Sequence, residues 1–145
     1  MVNFLAATAS LLAFTATTTA LTNSRLFARQ SDVSCRDSET DPFIANGFVP
    51  DAVDCINELA AKGGDDCTAG LATSFCLRGN TQITGIYTAA ASGEDSAGTT
   101  TTTCQDVAQA AGRIMDFCSR GDGAVKGQTL AFANTQMLVD IRSIE

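Results

Sequence analysis

Apolar positions between Pro50 and Lys62 recur at helical spacing. Ala52, Cys55, Ile56, Leu59 and Ala60 fall at i, i+3, i+4, i+7 and i+8, one buried face of a helix. Pro50 suits a first helical position, Asp51 and Asp54 complement the positive end of the dipole, and Lys62 complements the negative end. Gly63-Gly64 supplies the stop. A second helix is predicted from Thr103, whose hydroxyl caps it while Asp106 reaches back. Val107, Ala111, Ile114 and Cys118 form its apolar stripe. Asp106, Gln109, Arg113, Asp116 and Arg120 form its polar one, and Gly121 ends it.

Strand-like sequence follows each helix. Ser74 to Arg78 and Thr81 to Thr88 flank the turn pair Gly79-Asn80. Gln128 to Ala133 and Gln136 to Arg142 flank Asn134-Thr135, with Leu130 and Phe132 alternating in one run and Met137, Val139 and Ile141 in the other. A short strand at Val33 to Cys35 precedes the first helix. The fold class expected is α+β, a two-layer sandwich of two helices on an antiparallel sheet. The halves are joined by residues 89–103, read as a flexible loop because Ser92-Gly93-Glu94-Asp95-Ser96-Ala97-Gly98 and Thr99 to Thr103 carry no apolar periodicity. The threonine run is a potential site of O-linked sugars, whereas no Asn-x-Ser/Thr acceptor occurs.

The beginning of the chain reads differently. Phe4, Leu5, Ala6, Ala7, Leu11, Leu12, Ala13 and Phe14 make an apolar run, and Thr18-Thr19-Ala20 is a small-residue cleavage site, so residues 1–20 are expected to be a removed signal peptide. Threonines from Thr15 onward cut the run short of the roughly 20 apolar residues of a spanning helix. Residues 21–32 read as a pro-segment or flexible tail, with Arg29 a candidate processing site because Leu26 stands three residues before it and Gln30 can cyclise as a new N-terminus. Residues 33–145 then form a single domain.

Net charge is -7 over 145 residues. Cleavage after Arg29 would remove Arg25 and Arg29 and leave 7 basic against 16 acidic residues, a net charge of -9. Neither phosphate backbones nor anionic membranes attract such a chain, so no nucleic-acid partner and no stable membrane insertion are expected. Cys35, Cys55, Cys67, Cys76, Cys104 and Cys118 all follow the signal, and an even count in a short exported chain implies three disulfides. With no histidine and no CxxC pair, neither a metal site nor a cofactor is expected. The missing histidine also removes Ser-His-Asp and Cys-His schemes. Asp65-Asp66 and Glu94-Asp95 are the adjacent acids that could serve glycosidase-type work, and they sit in loop sequence with no tryptophan to line a sugar cleft. The chain is therefore not expected to be an enzyme.

Six cysteines permit 15 pairings, which proximity ranks. Cys67 and Cys76 enclose a short loop of small residues, Thr68 to Thr73. Antiparallel helices would bring Cys55 near Cys118, leaving Cys35 for Cys104.

Val33-Ser34-Cys35, Asp54-Cys55-Ile56, the bracket of Cys104 and Cys118, and Leu138-Val139-Asp140-Ile141-Arg142 together resemble the killer-toxin-like small secreted proteins of fungi, a group that includes effector candidates. That resemblance implies an α/β sandwich and an extracellular, non-enzymatic role toward a host or competitor component, without specifying the target. The alternative expectation is a cell-wall or lipid- and sterol-binding secreted protein with an elicitin-like role.

Overall fold

The computed structural model describes residues 33–36, 45–91 and 98–144, and within them the local signals become elements of an α+β sandwich. In chain order these are β1 (Ser34–Cys35), β2 (Gly47–Phe48), α1 (Val49–Lys62), β3 (Asp66–Ala69), β4 (Thr73–Arg78), β5 (Thr81–Tyr87) and α2 (Thr88–Ala91). There follow β6 (Thr100–Thr103), α3 (Cys104–Cys118), β7 (Ala124–Val125), β8 (Gly127–Ala131) and β9 (Asn134–Ser143). Pro50 lies in the first turn of α1, whose Ala52, Cys55 and Leu59 are buried as the spacing predicts. Thr103 caps α3, its Oγ1 accepting from the Asp106 N–H at 3.1 Å and donating to Asp106 Oδ2 at 2.7 Å.

Five strands form the main sheet in the order β1-β8-β9-β5-β4, every pairing antiparallel. Ile83, Ile141 and Gly127 share one cross-strand row and Gly85, Val139 and Thr129 the next, on the face toward the helices. Leu59, Ile83, Ile114, Met137, Val139 and Ile141 are all fully buried there. Removing each such side chain from water is worth about 1.5–3 kcal/mol. The helices run antiparallel. The Cys104 N–H donates to the Asp65 carbonyl at 2.9 Å and the Gln105 N–H to the Gly63 carbonyl at 2.9 Å, tying the start of α3 to the end of α1. At the opposite end, β2 before α1 pairs with β7 after α3. The two helices divide the sheet, α3 over β8 and β1 and α1 over β4 and β5.

That division corrects the expected disulfides. The bridges are Cys35–Cys118, Cys55–Cys76 and Cys67–Cys104, with Cα separations of 5.3, 5.5 and 5.0 Å. Cys55 lies in the middle of α1 and Cys118 is the last residue of α3, and each is bridged to the edge strand beneath its own helix. Those edges are four strand spacings apart, about 19 Å, whereas a bridge needs its Cα atoms within about 7 Å. Cys104 cannot reach Cys35, because the length of α3, about 20 Å, separates it from Cys118. Cys67 does not close locally on Cys76, because β3 holds it opposite Thr102, two residues before Cys104.

Residues 89–103 are corrected as well. Thr88–Ala91 is a short helix, and Thr100–Thr103 is a strand whose Thr100 and Thr102 are buried against β3 while Thr101 is exposed. Residues 92–97 lie outside the described residues. The Gly79-Asn80 hairpin forms where expected, Gly79 taking the positive φ of 51° that such a turn favours. The second hairpin turns at Phe132-Ala133 instead of Asn134-Thr135. Asn134 is drawn into β9 because its Nδ2 donates to Thr100 Oγ1 at 2.7 Å and to the Thr101 carbonyl at 3.0 Å, while its Oδ1 accepts from the Gln136 N–H. The second helix also ends earlier than Gly121: Ser119 leaves the helix at ψ 137°.

Candidate functional site

Where α3 ends, the chain makes a tight turn. The Arg120 N–H donates to the Ala124 carbonyl at 2.9 Å, the Gly123 N–H to the Arg120 carbonyl at 3.1 Å, and the Ala124 N–H to Asp122 Oδ1 at 3.1 Å. Gly123 takes φ 81°, a conformation that costs a side-chain-bearing residue energy, and its carbonyl accepts from the Val49 N–H. The turn feeds β7, and β7 leads to Lys126, whose carbonyl accepts from the Arg36 N–H at 3.2 Å. The start of β2, the end of α3 and the residue between β7 and β8 are thereby gathered beside the Cys35–Cys118 bridge.

Between them lies an open pocket of about 160 Å³ lined by Cys35, Asn46, Phe117, Cys118, Ser119, Arg120 and Lys126. Lys126 is buried, at 3 % exposure, whereas Phe117 is half exposed at 47 % and forms an apolar wall. Arg120 pairs with Asp122 at 3.1 Å through one guanidinium nitrogen. Asn46 Oδ1 is buried without a hydrogen-bond partner. Among the described residues, no lining residue is acidic. The fold thus brings Arg120, Lys126, the Asn46 amide and the Phe117 ring together beside the Cys35–Cys118 bridge.

The six predicted cysteines are all bridged, so none is a thiolate nucleophile. Ala20 and Arg29 lie outside the described residues. Asp65 uses its carbonyl to anchor Cys104, Asp66 opens β3 at the surface, and Glu94 and Asp95 lie outside the described residues. Among the described residues there is no group of three or more Cys, Asp or Glu placed to hold a metal ion. No helix among them is long and apolar enough to cross a membrane. Sequence reasoning did not find Asn46, Phe117 or Lys126, since each stands alone in its segment and only the fold assembles them.

A family model matches residues 30–143, most of the chain. The chain belongs to DUF8794, a domain of unknown function. The DUF8794 region begins at the residue after Arg29 and spans all three disulfides. No curated protein and no solved structure matches the chain.

Proposed function

We propose that this DUF8794 chain is a secreted effector or killer-toxin-like protein that acts outside the cell by binding a host or competitor component, without catalysis. The observation that carries the reading is the disulfide framework. All six cysteines are oxidised in three bridges, a pattern that persists in oxidising compartments. Two of the bridges fasten a helix to an edge strand of the main sheet, which is how a small domain compensates for a limited core. The family match starting after Arg29 supports a mature chain that begins at Gln30.

The lipid- or sterol-carrier alternative draws no support from the pocket, whose 160 Å³ falls below the roughly 300–1,000 Å³ typical of drug-sized ligands. The deciding experiment is the intact mass of the protein recovered from culture filtrate. The expected mass corresponds to a chain starting at Gln30 with all six cysteines oxidised. A mass that retains Met1 would sink the secretion reading, and a start at Leu21 would remove Arg29 from the processing scheme.

A further inference from the structure

We infer that residues 31–33 of the mature chain continue β1 along the remaining length of β8 and complete that edge of the main sheet. The inference rests on the reading that the mature chain begins at Gln30, and residues 30–32 lie outside the described residues. β8 spans Gly127–Ala131 and pairs with β9 along all of it, whereas β1, on its other side, meets only Gly127 and Gln128. Among the described strands, none pairs with Thr129, Leu130 or Ala131 on that side. Such an edge is a template for a further strand.

The register of β1 identifies the segment that fits. Ser34 stands opposite Gln128 and Cys35 opposite Gly127. Carried backwards, the same antiparallel register sets Val33 opposite Thr129, Asp32 opposite Leu130, Ser31 opposite Ala131 and Gln30 opposite Phe132, the first residue of the turn. Val33 already conforms. It stands two residues before Cys35, whose sulfur reaches α3, and packs against the core on that same face. The Arg36 N–H donates to the Lys126 carbonyl, so every second residue of β8 beyond it, Gln128 and then Leu130, turns its N–H and C=O toward the side of β1. Leu130 therefore presents both groups to the place of Asp32. β8 ends at Ala131, and the bond after Arg29 falls just past that point; the family region starts at the same residue, Gln30. Residues 21–29 accordingly have no place on β8, and their removal leaves a strand that matches its length.

The test is amide hydrogen exchange, read by NMR, on the oxidised mature chain beginning at Gln30. Asp32→Pro removes the N–H that would donate to the Leu130 carbonyl, so the Leu130 N–H should exchange about fivefold faster than in the parent. Ser31→Pro removes an N–H that points away from β8, and Asp32→Ala keeps every backbone donor. Both should leave Leu130 exchange within about twofold of the parent. All three substitutions precede β1 and leave the bridged core intact, so folding does not decide the result. Equal exchange in Asp32→Pro and the parent would overturn the strand, and a larger effect of Ser31→Pro than of Asp32→Pro would overturn its register. Leu130 protection that rises with protein concentration would assign the edge to a second copy and overturn the proposal as well. The exchange experiment supplies Gln30 as the first residue, so its failure would leave the culture-filtrate result standing, and the converse holds.

Discussion

Gly127 is a position where β8 passes close beneath α3, and replacing it by alanine tests the packing of the helix on the sheet. A Cβ there would lie 2.8 Å from Cys118 Sγ, 2.9 Å from Ile114 Cγ2 and 3.1 Å from the Ser34 carbonyl oxygen. Ordinary carbon contacts are about 3.5–4.0 Å, so the helix, the bridge or the strand must shift. Overpacking of this kind costs about 1–3 kcal/mol. Alanine recovers about 0.4–1 kcal/mol by restricting the unfolded chain. The net expectation is a loss of about 1–2 kcal/mol.

Gly112, in the middle of α3, supplies the contrast. Nothing lies within 4 Å of a Cβ added there, so Gly112→Ala should stabilise by about 0.5–1 kcal/mol. The same chemical change is therefore expected to move the urea midpoint in opposite directions, read by far-UV circular dichroism under non-reducing conditions with the slope unchanged. A third arm assigns the contact. In a Cys35→Ala/Cys118→Ala background the sulfur is gone, and the cost of Gly127→Ala should shrink, a coupling read as a double-mutant cycle. A Gly127→Ala protein as stable as its parent would refute the close approach of β8 to α3, and an undiminished cost without the bridge would refute the role of the sulfur.

The disulfides should reduce in a defined order: Cys35 is exposed, whereas Cys55, Cys67, Cys76, Cys104 and Cys118 are all buried. Because attack requires access, partial reduction followed by alkylation and peptide mapping should label Cys35 and Cys118 first, and earlier labelling of Cys55 or Cys67 would contradict the packing. Acid stability offers a further check, since the Lys62 hydrogen bond and charge, followed by Arg78, hold the Glu58 carboxyl below its ordinary value of 4.5. A lowered folded value means a contribution that is present above 4.5 and lost as pH falls through the folded value. Glu58 is partly exposed, so the effect is small; Glu58→Gln should flatten the stability profile below about pH 5, and a variant with the parent's acid slope would exclude this contribution.

Local physics made much of the fold legible. The i, i+3, i+4 spacing of Ala52, Cys55, Ile56 and Leu59, the Thr103 cap and the Gly79-Asn80 turn each depend on interactions within a few residues, and each appears as read. The six cysteines announced three bridges for the same kind of reason, composition alone. Their pairing was decided elsewhere. It depends on which half of a five-stranded sheet each helix covers, and that follows from the strand order β1-β8-β9-β5-β4, which joins residues from the two ends of the domain. The threonine run shows the limit most clearly. Thr100 to Thr103 has no hydropathy alternation because all four residues are the same, yet pairing with Asp66 to Ala69 buries every second one. The pocket was hidden for a related reason: Cys35, Asn46, Phe117, Arg120 and Lys126 come from four separate segments, and no local pattern encodes their meeting. Propensity and capping act over a few residues and can be read along the chain, whereas strand order, bridge partners and the pocket arise from packing between segments that only the folded domain brings together.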